Sequence, residues 1–286
     1  MKNKVISIFL FIVLLLVGCK SKPSADPVDY VNPYMGNISH LLVPTYPTIH
    51  LPNSFLRVYP QRNDFTGDQL YGLPVVVTSH RGSSAFNLSP VAGKSKDFLP
   101  VHNYSYDLEK ITPFDYSVYL DEQEIGVQLA VSHQSAIYRF TYPKEKPAAL
   151  VINAAEGNLK WDGTAITGFQ QLQNDTRVFV HLKPENSPSK VTALNGEGAI
   201  SEGTELSGEN IAMVLHFNAE GDVVNLRYGI SFIDSRQAGQ NVKREIADFD
   251  LEKVRKKGRD LWNESLAKIK IKGGTRDQNT VFYTSL

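Results

Sequence analysis

One cysteine in 286 residues rules out a disulfide within the chain and any site built on paired thiolates. Charge of either sign is also missing in excess. Thirty basic residues balance thirty acidic ones, so the chain shows no electrostatic footprint for nucleic acid or an anionic membrane surface. No glycine-rich phosphate loop occurs, because the glycines are dispersed through turn-like pieces and nowhere cluster in the spacing such a loop needs. An HExxH pair and a Cys/His cluster are both absent, and the seven histidines lie far apart. No G-x-S-x-G elbow marks a serine nucleophile, although a Ser-His-Asp assembly from distant positions stays open. Internal repeats and low-complexity tracts are missing too. The longest apolar run, 5–17, is broken by Ser7 and falls short of the ~20 residues that span a bilayer.

That run follows Lys2 and Lys4 and ends at Gly18-Cys19, the layout of a signal peptide over 1–18. Leu16-Val17-Gly18-Cys19 resembles the bacterial lipobox, which implies cleavage before Cys19 and lipidation of its thiol. Acyl chains there would anchor the protein to a bacterial membrane, on the periplasmic or the cell-surface side, without making it span. An ordinary secretory signal followed by an incidental cysteine is the alternative. Residues 19–27, rich in Ser, Pro, Lys and Asp, then make a short flexible tether.

The body of the chain reads as all-β. Pro33, Pro44, Pro47, Pro52 and Pro60 forbid a regular helix early on, with short strands over 55–59 and 73–78. The clearest alternation predicts a meander of strands over 115–120, 125–131 and 136–142, turning at Asp121-Glu122-Gln123. Further strands are expected over 148–153, 165–171, 177–182, 211–217 and 223–233. Turn-like pieces such as Glu156-Gly157-Asn158, Asp162-Gly163 and Asn195-Gly196 separate them. With no helix interleaved before Asp248, this pattern predicts an antiparallel β-sandwich over 28–247.

The chain then changes character. Asp250 caps a helix whose Leu251, Val254, Leu261, Trp262 and Leu266 share one apolar face. Ile269 and Ile271 alternate with lysines as a short strand that Gly273-Gly274 stops, so 248–274 reads as a linker helix and strand. Thr275 opens a second helix over 275–286, about three turns at 3.6 residues per turn and marginal by itself. Leu261, Trp262, Val281, Phe282 and Leu286 are expected to form an exposed apolar patch.

Two loops carry more polar and aromatic residues than a scaffold needs: 32–40, ending in His40, and Ser79-His80-Arg81-Gly82-Ser83-Ser84. An imidazole beside a guanidinium and flanked by hydroxyls suits sugar hydroxyls or a carboxylate; the alternative is that both satisfy loop carbonyls and a nearby acid. Tyr104, Tyr106, Phe114, Tyr116 and Tyr119 could line a sugar platform, although alternation favours core packing for Tyr116. His102 and Glu109 stand near them in an expected loop. Candidate sugar-binding residues are therefore His40, His80, Arg81 and Glu109, while His50, His133, His181 and His216 read as structural.

Tyr30-Val31-Asn32-Pro33-Tyr34-Met35-Gly36 resembles the opening motif of glycoside hydrolase family 92, the calcium-dependent exo-α-mannosidases. Ser79-His80 matches a Ser-His motif of that family. Glu109, Pro113 and Tyr116-Ser117-Val118 with Leu120 resemble its E-x-A-x-P-G-Y-Y-S-V-x-L element, Phe114-Asp115 replacing Gly-Tyr. Trp262-Asn263, Leu266, 271–275, Gln278 and Phe282-Tyr283-Thr284 are similar to the stretch where the N-terminal sandwich passes into a helical barrel. The chain departs from the family at Asn37-Ile38-Ser39-His40 and at Arg81-Gly82-Ser83-Ser84, in loops expected to face the barrel.

The resemblance implies a two-domain enzyme acting on mannose-containing glycans. A β-sandwich packs on an (α/α)6 barrel, a glutamic acid protonates the leaving oxygen, an aspartate activates water with inversion, and calcium helps bind the sugar. The carboxylates and most calcium ligands lie in the barrel, so no catalytic residue or metal ligand is expected here. The chain is then an antiparallel β-sandwich followed by a linker helix and the start of a truncated (α/α)6 barrel, catalytically inactive in isolation, with the absent barrel as its intramolecular partner. The rival is a stand-alone carbohydrate-binding surface lipoprotein without hydrolase activity, and a scaffold that binds no sugar is a third possibility.

Overall fold

The computed structural model describes residues 25–38, 46–62, 67–78, 83–93, 98–194, 200–217 and 223–286. Sixteen strands and three α-helices follow a 3-10 turn at Pro27–Tyr30. The first strands are short: β1 (Ile49–His50), β2 (Arg57–Val58), β3 (Gln69–Tyr71) and β4 (Leu73–Val77). Longer ones follow: β5 (Ser84–Ala92), β6 (Asn103–Ile111), β7 (Asp115–Leu120), β8 (Ile125–Val131), β9 (Ser135–Thr141) and β10 (Ala148–Trp161). The remainder are β11 (Ile166–Gln171), β12 (Arg177–Pro184), β13 (Lys190–Leu194), β14 (Ile200–Ser201), β15 (Glu205–Phe217) and β16 (Val223–Ser231). The helices are α1 (Ser235–Glu245), α2 (Leu251–Leu266) and α3 (Arg276–Ser285).

Except for the β1–β2 ribbon, the described strands join one antiparallel sheet, in the order β14-β13-β15-β10-β11-β12-β16-β9-β8-β7-β6-β3, with β5 and then β4 branching from β10. Strand β10 folds this sheet into two layers. Its first half, from Ala148 to Asn153, pairs with β5 on one edge and β15 on the other; beyond Gly157, β11 takes the place of β5 while β15 stays. The backbones press together where β11 takes over. A Cβ on Gly157 would lie 1.9 Å from the Phe169 carbonyl oxygen, and one on Gly168 would lie 2.0 Å from that of Asn158. Only glycine fits such an approach. The expected turn at Glu156-Gly157-Asn158 is therefore continuous strand.

Alternation along the strands builds the core between the layers. Tyr116, Val118 and Leu120 of β7, Ile125, Val127 and Leu129 of β8, and Ala136, Tyr138 and Phe140 of β9 all point into it. Each large side chain so buried stabilises the fold by roughly 1.5–3 kcal/mol. The opposite faces carry smaller clusters: Ala149 and Val151 with Phe98 and Val214, and Ala130 and Ile137 beneath Val242, Ile246, Leu251 and Val254 of the helical segment.

The meander matches the sequence reading, with β7 and β8 ending at the expected residues. Several features differ. The expected strand over 55–59 shrinks to Arg57–Val58. Strands β5 and β6 were not foreseen, so Glu109 lies in β6 rather than in a loop. Helix α1 also stands where no helix is expected before Asp248. The 268–272 stretch forms no strand, since Ile269 and Ile271 find no partner strand among the described residues and remain exposed.

Both expected helix starts are present. Asp250 accepts from the Lys253 amide at 3.1 Å, and Thr275 and Gln278 form a capping box. The two helices grip the N-terminal segment. Asn263 accepts from the Val28 amide at 3.0 Å, Arg259 pairs with Asp26 and Asp29, Thr284 accepts from the Asn32 amide at 3.0 Å, and Tyr30 stacks on Tyr283 at 5.8 Å. The apolar patch is consequently smaller than expected: Leu261, Trp262 and Phe282 pack partly buried against the main core, while Val281 and Leu286 stay exposed.

Candidate functional site

Glu109 projects from β6 into a polar cluster that joins two of the recognised motifs. Oε1 pairs with the Arg62 guanidinium and accepts from the Tyr116 hydroxyl at 3.2 Å; Oε2 accepts from the Tyr34 hydroxyl at 3.3 Å. Arg62 also donates to the Tyr106 hydroxyl at 2.6 Å and lies over that ring, 5.0 Å from its centroid. The Arg62 and Glu109 side chains are only 5% and 11% exposed. Burial and the Glu109 charge push the Tyr34 and Tyr116 hydroxyls far above the ordinary tyrosine range, so both phenols stay protonated and donate to the carboxylate.

A carboxylate held by a guanidinium and two phenols has little capacity left for proton transfer, but it orients what surrounds it. It ties the opening motif, through Tyr34, to the element that contains Tyr116. Gln61, the neighbour of Arg62, accepts from the Ser84 hydroxyl at the start of β5 at 3.2 Å. Arg62 was missed by sequence reasoning. It lies 47 residues from Glu109, and nothing local marks it as a partner.

A groove of about 600 Å³ opens just past the end of β4, at Thr78. Phe55 and Phe232, 69% and 46% exposed, stand at its rim with Asn53, Arg57 and Thr78. A second groove of about 490 Å³ shares Thr78 and Leu172 and adds Ser83, Ser84, Glu156, Gln171 and Gln173. Exposed aromatic faces beside amide, hydroxyl, guanidinium and carboxylate groups are what a saccharide requires: stacking for its apolar face and hydrogen bonds at its edge. His50 lines the first groove, and its carbonyl accepts from Trp262 Nε1 at 2.8 Å, which ties the groove to α2.

His40, His80, Arg81 and Cys19 lie outside the described residues. Among the expected platform aromatics, Tyr104, Phe114 and Tyr116 are buried in the core, and only Tyr119 is well exposed. His102 is buried, with Nε2 accepting from the Leu99 amide at 2.9 Å, and His216 Nε2 is 2.9 Å from the Thr192 hydroxyl. Among the described residues no group of three or more His, Cys, Asp or Glu side chains could hold a metal ion. No helix among the described residues is long and apolar enough to cross a membrane.

Residues 30–231 match the glycosyl hydrolase family 92 N-terminal domain, and residues 237–286 match the family 92 catalytic domain. The chain is 23% identical to an uncharacterized secreted glycosidase of Arthroderma benhamiae, over 63% of this chain and 28% of that protein. Its fold is shared with a GH92 inverting mannosidase from Bacteroides thetaiotaomicron, at a TM-score of 0.82 and 23% identity, over 92% of this chain and 39% of the other. A GH92 α-mannosidase from the same organism in complex with mannoimidazole gives 0.81 at 21% identity, over 91% of this chain and 39% of that one. The chain thus spans well under half the length of these relatives.

Proposed function

Given that the chain belongs to glycosyl hydrolase family 92, we propose that it is the N-terminal β domain of an inverting exo-α-mannosidase and forms one wall of the sugar site. The observation that carries this reading is the aromatic-rimmed groove at Thr78, next to the stretch that holds His80 and Arg81. Phe55 and Phe232 supply stacking surface, Arg57 and Asn53 supply hydrogen bonds, and His40, His80 and Arg81 complete the wall. Glu109 acts from behind, holding Tyr34 and Arg62 in place. Inverting hydrolysis needs two carboxyl groups roughly 6.5–9.5 Å apart with a water between them. Glu109 is committed to Arg62 and two phenols, so we assign the acid and the base to the catalytic domain.

Residues 1–286 alone are therefore expected to release no mannose from an aryl α-mannoside, with or without calcium, and measurable release would overturn the assignment. In an enzyme that carries both domains, alanine at Phe232 or Arg81 is expected to raise KM more than it lowers kcat. A second reading rests on the groove being formed within this chain: a carbohydrate-binding lipoprotein that does not hydrolyse. Isothermal titration of the 286-residue chain with α-mannobiose separates the two. Saturable binding abolished by Phe232→Ala favours the second reading, and no detectable binding favours the first. Lipid on Cys19 places the protein at a bacterial membrane. Cys19→Ser is expected to move it to the soluble fraction, and membrane retention of that variant would refute the anchor.

A further inference from the structure

On the outer face of the sheet, away from the Thr78 groove, α1 lies across β12 and β16 and leaves a groove of about 660 Å³. Four cations and an imidazole line it, namely His181 and Lys183 on β12, Arg227 on β16, and Arg236 and Lys243 on α1, and no acid lies among the neutral residues that complete the lining. Lys183 and Arg227 are direct cross-strand partners. Like charges so placed destabilise a sheet unless something neutralises them. The approach of α1 is part of the fold, because a Cβ on Gly229, opposite His181, would lie 2.3 Å from the Ala238 carbonyl oxygen.

The acids nearby are engaged elsewhere. Asp162 accepts from the Thr164 and Ala165 amides and the Thr164 hydroxyl, each at 2.8 Å. Asp248 accepts from the Lys253 ammonium at 2.8 Å and attracts Arg227 only through space, without a hydrogen bond to it. Asp234 caps α1 through the Gln237 amide at 2.6 Å, and its other oxygen is a distant 3.8 Å from Arg236. Arg227 donates to the Ile246 carbonyl at 2.6 Å and lies 4.7 Å from the centroid of the Phe249 ring, but its buried Nε has no hydrogen-bond partner. Lys183 and Lys243 form no ion pair among the described residues. Burial holds the His181 pKa below the ordinary value; Lys183 and Arg227 push it lower still, against the pull of Asp162.

From this we infer that the groove between α1 and strands β12 and β16 is an oxyanion site, taking a phosphate or sulfate group that bridges Lys183 and Arg227 on its floor to Arg236 and Lys243 on its rim. A guanidinium fork and point-charge ammonium groups are the donors such a group requires. The site is separate from the proposed sugar wall and does not depend on the mannosidase reading. Two sources share this chemistry: a free phosphate or sulfate ester, and the phosphate headgroup of a membrane surface.

The test is thermal melting of the full chain in inorganic phosphate, sulfate and chloride at one ionic strength. Phosphate and sulfate are expected to raise Tm saturably above chloride, since a ligand bound only to the folded state stabilises it by mass action. Lys183→Gln, and separately Arg236→Gln with Lys243→Gln, are expected to weaken that response at least tenfold, whereas Lys190→Gln, on β13 and four strands from β12 in the sheet order, leaves it intact. Equal melting in the three salts, or a response that survives both sets of substitutions, overturns the site. Without an oxyanion, Lys183→Gln is expected to melt no lower than the parent chain, and a clear drop also overturns it. Co-sedimentation with phosphatidylcholine vesicles, with and without phosphatidylglycerol, distinguishes the sources. Binding to the anionic vesicles that Lys183→Gln abolishes assigns the headgroup; a response to free oxyanion alone assigns a soluble ester.

Discussion

Two arginines leave bulk water in this fold and meet different fates. Arg62 is sheltered with its own counter-ion, Glu109, and the hydroxyls of Tyr34, Tyr106 and Tyr116 join the pair, although the Arg62 Nε, like that of Arg227, has no hydrogen-bond partner. Arg227 keeps one backbone carbonyl and an aromatic face, with another cation directly across the sheet. The contrast separates two uses of buried charge. Where the chain supplies the carboxylate, the charge belongs to the architecture and fixes the opening motif against β6. Where the facing carboxylate, Asp248, is already bound by Lys253, the charge is available to something outside the chain.

The largest effect should come from breaking the complete pair. Glu109→Ala leaves the Arg62 guanidinium buried and unpaired, an expected loss of about 3–5 kcal/mol in urea unfolding. Replacing both members with apolar residues of similar volume is expected to restore most of it. If Glu109→Ala costs under about 1 kcal/mol, the pair is not structural.

Arg227→Met should be milder, about 2 kcal/mol, from one charged hydrogen bond and one ring contact. A loss equal to that of Glu109→Ala would erase the distinction between the two sites.

Acidification gives a third test. Burial lowers the pKa of His50, His181 and His216 below the ordinary 6.5. The unfolded chain therefore takes up protons near 6.5 that the folded chain takes up only at lower pH. Stability is full above that value and falls as pH drops through it, because the unfolded state then binds more protons. Tm is expected to decline from neutral pH to mildly acidic pH, and less so in His181→Gln, where no third positive charge develops beside Lys183 and Arg227. A pH-independent Tm would refute this.

Salt should have the smallest effect. Screening acts within a Debye length of about 10 Å at 0.1 M. Moderate chloride is therefore expected to relieve Lys183 and Arg227 by a few tenths of a kcal/mol and to leave the Glu109 pair unchanged, as measured by comparing the salt dependence of Tm in Lys183→Gln and the parent.

Much of the scaffold was legible. Strand β7 and the first part of β8 alternate and are bounded by turn residues, and Asp250 and Thr275 announce their helices through the hydrogen bonds their side chains make three residues on. Strand β6 was not, because a register shift between Asp107 and Lys110, with Leu108 at a φ of 54°, breaks the alternation that would reveal it. Helix α1 escaped notice because Ala238 and Val242 are the only apolar residues on its buried face. The candidate site was legible only in part: the motifs pointed to Tyr34 and Glu109, but nothing along the chain pointed to Arg62.

Local chemistry determined the β-rich body, the helix starts and the family resemblance, since period, caps and motifs are all properties of neighbouring residues. Tertiary structure alone decided which charges are matched. Arg62 meets Glu109 and Lys183 faces Arg227 across gaps of 47 and 44 residues, closed by sheet pairing. Whether a buried cation finds its anion depends on that register, because an ion pair is a matter of a few ångströms in space and carries no signature in sequence separation.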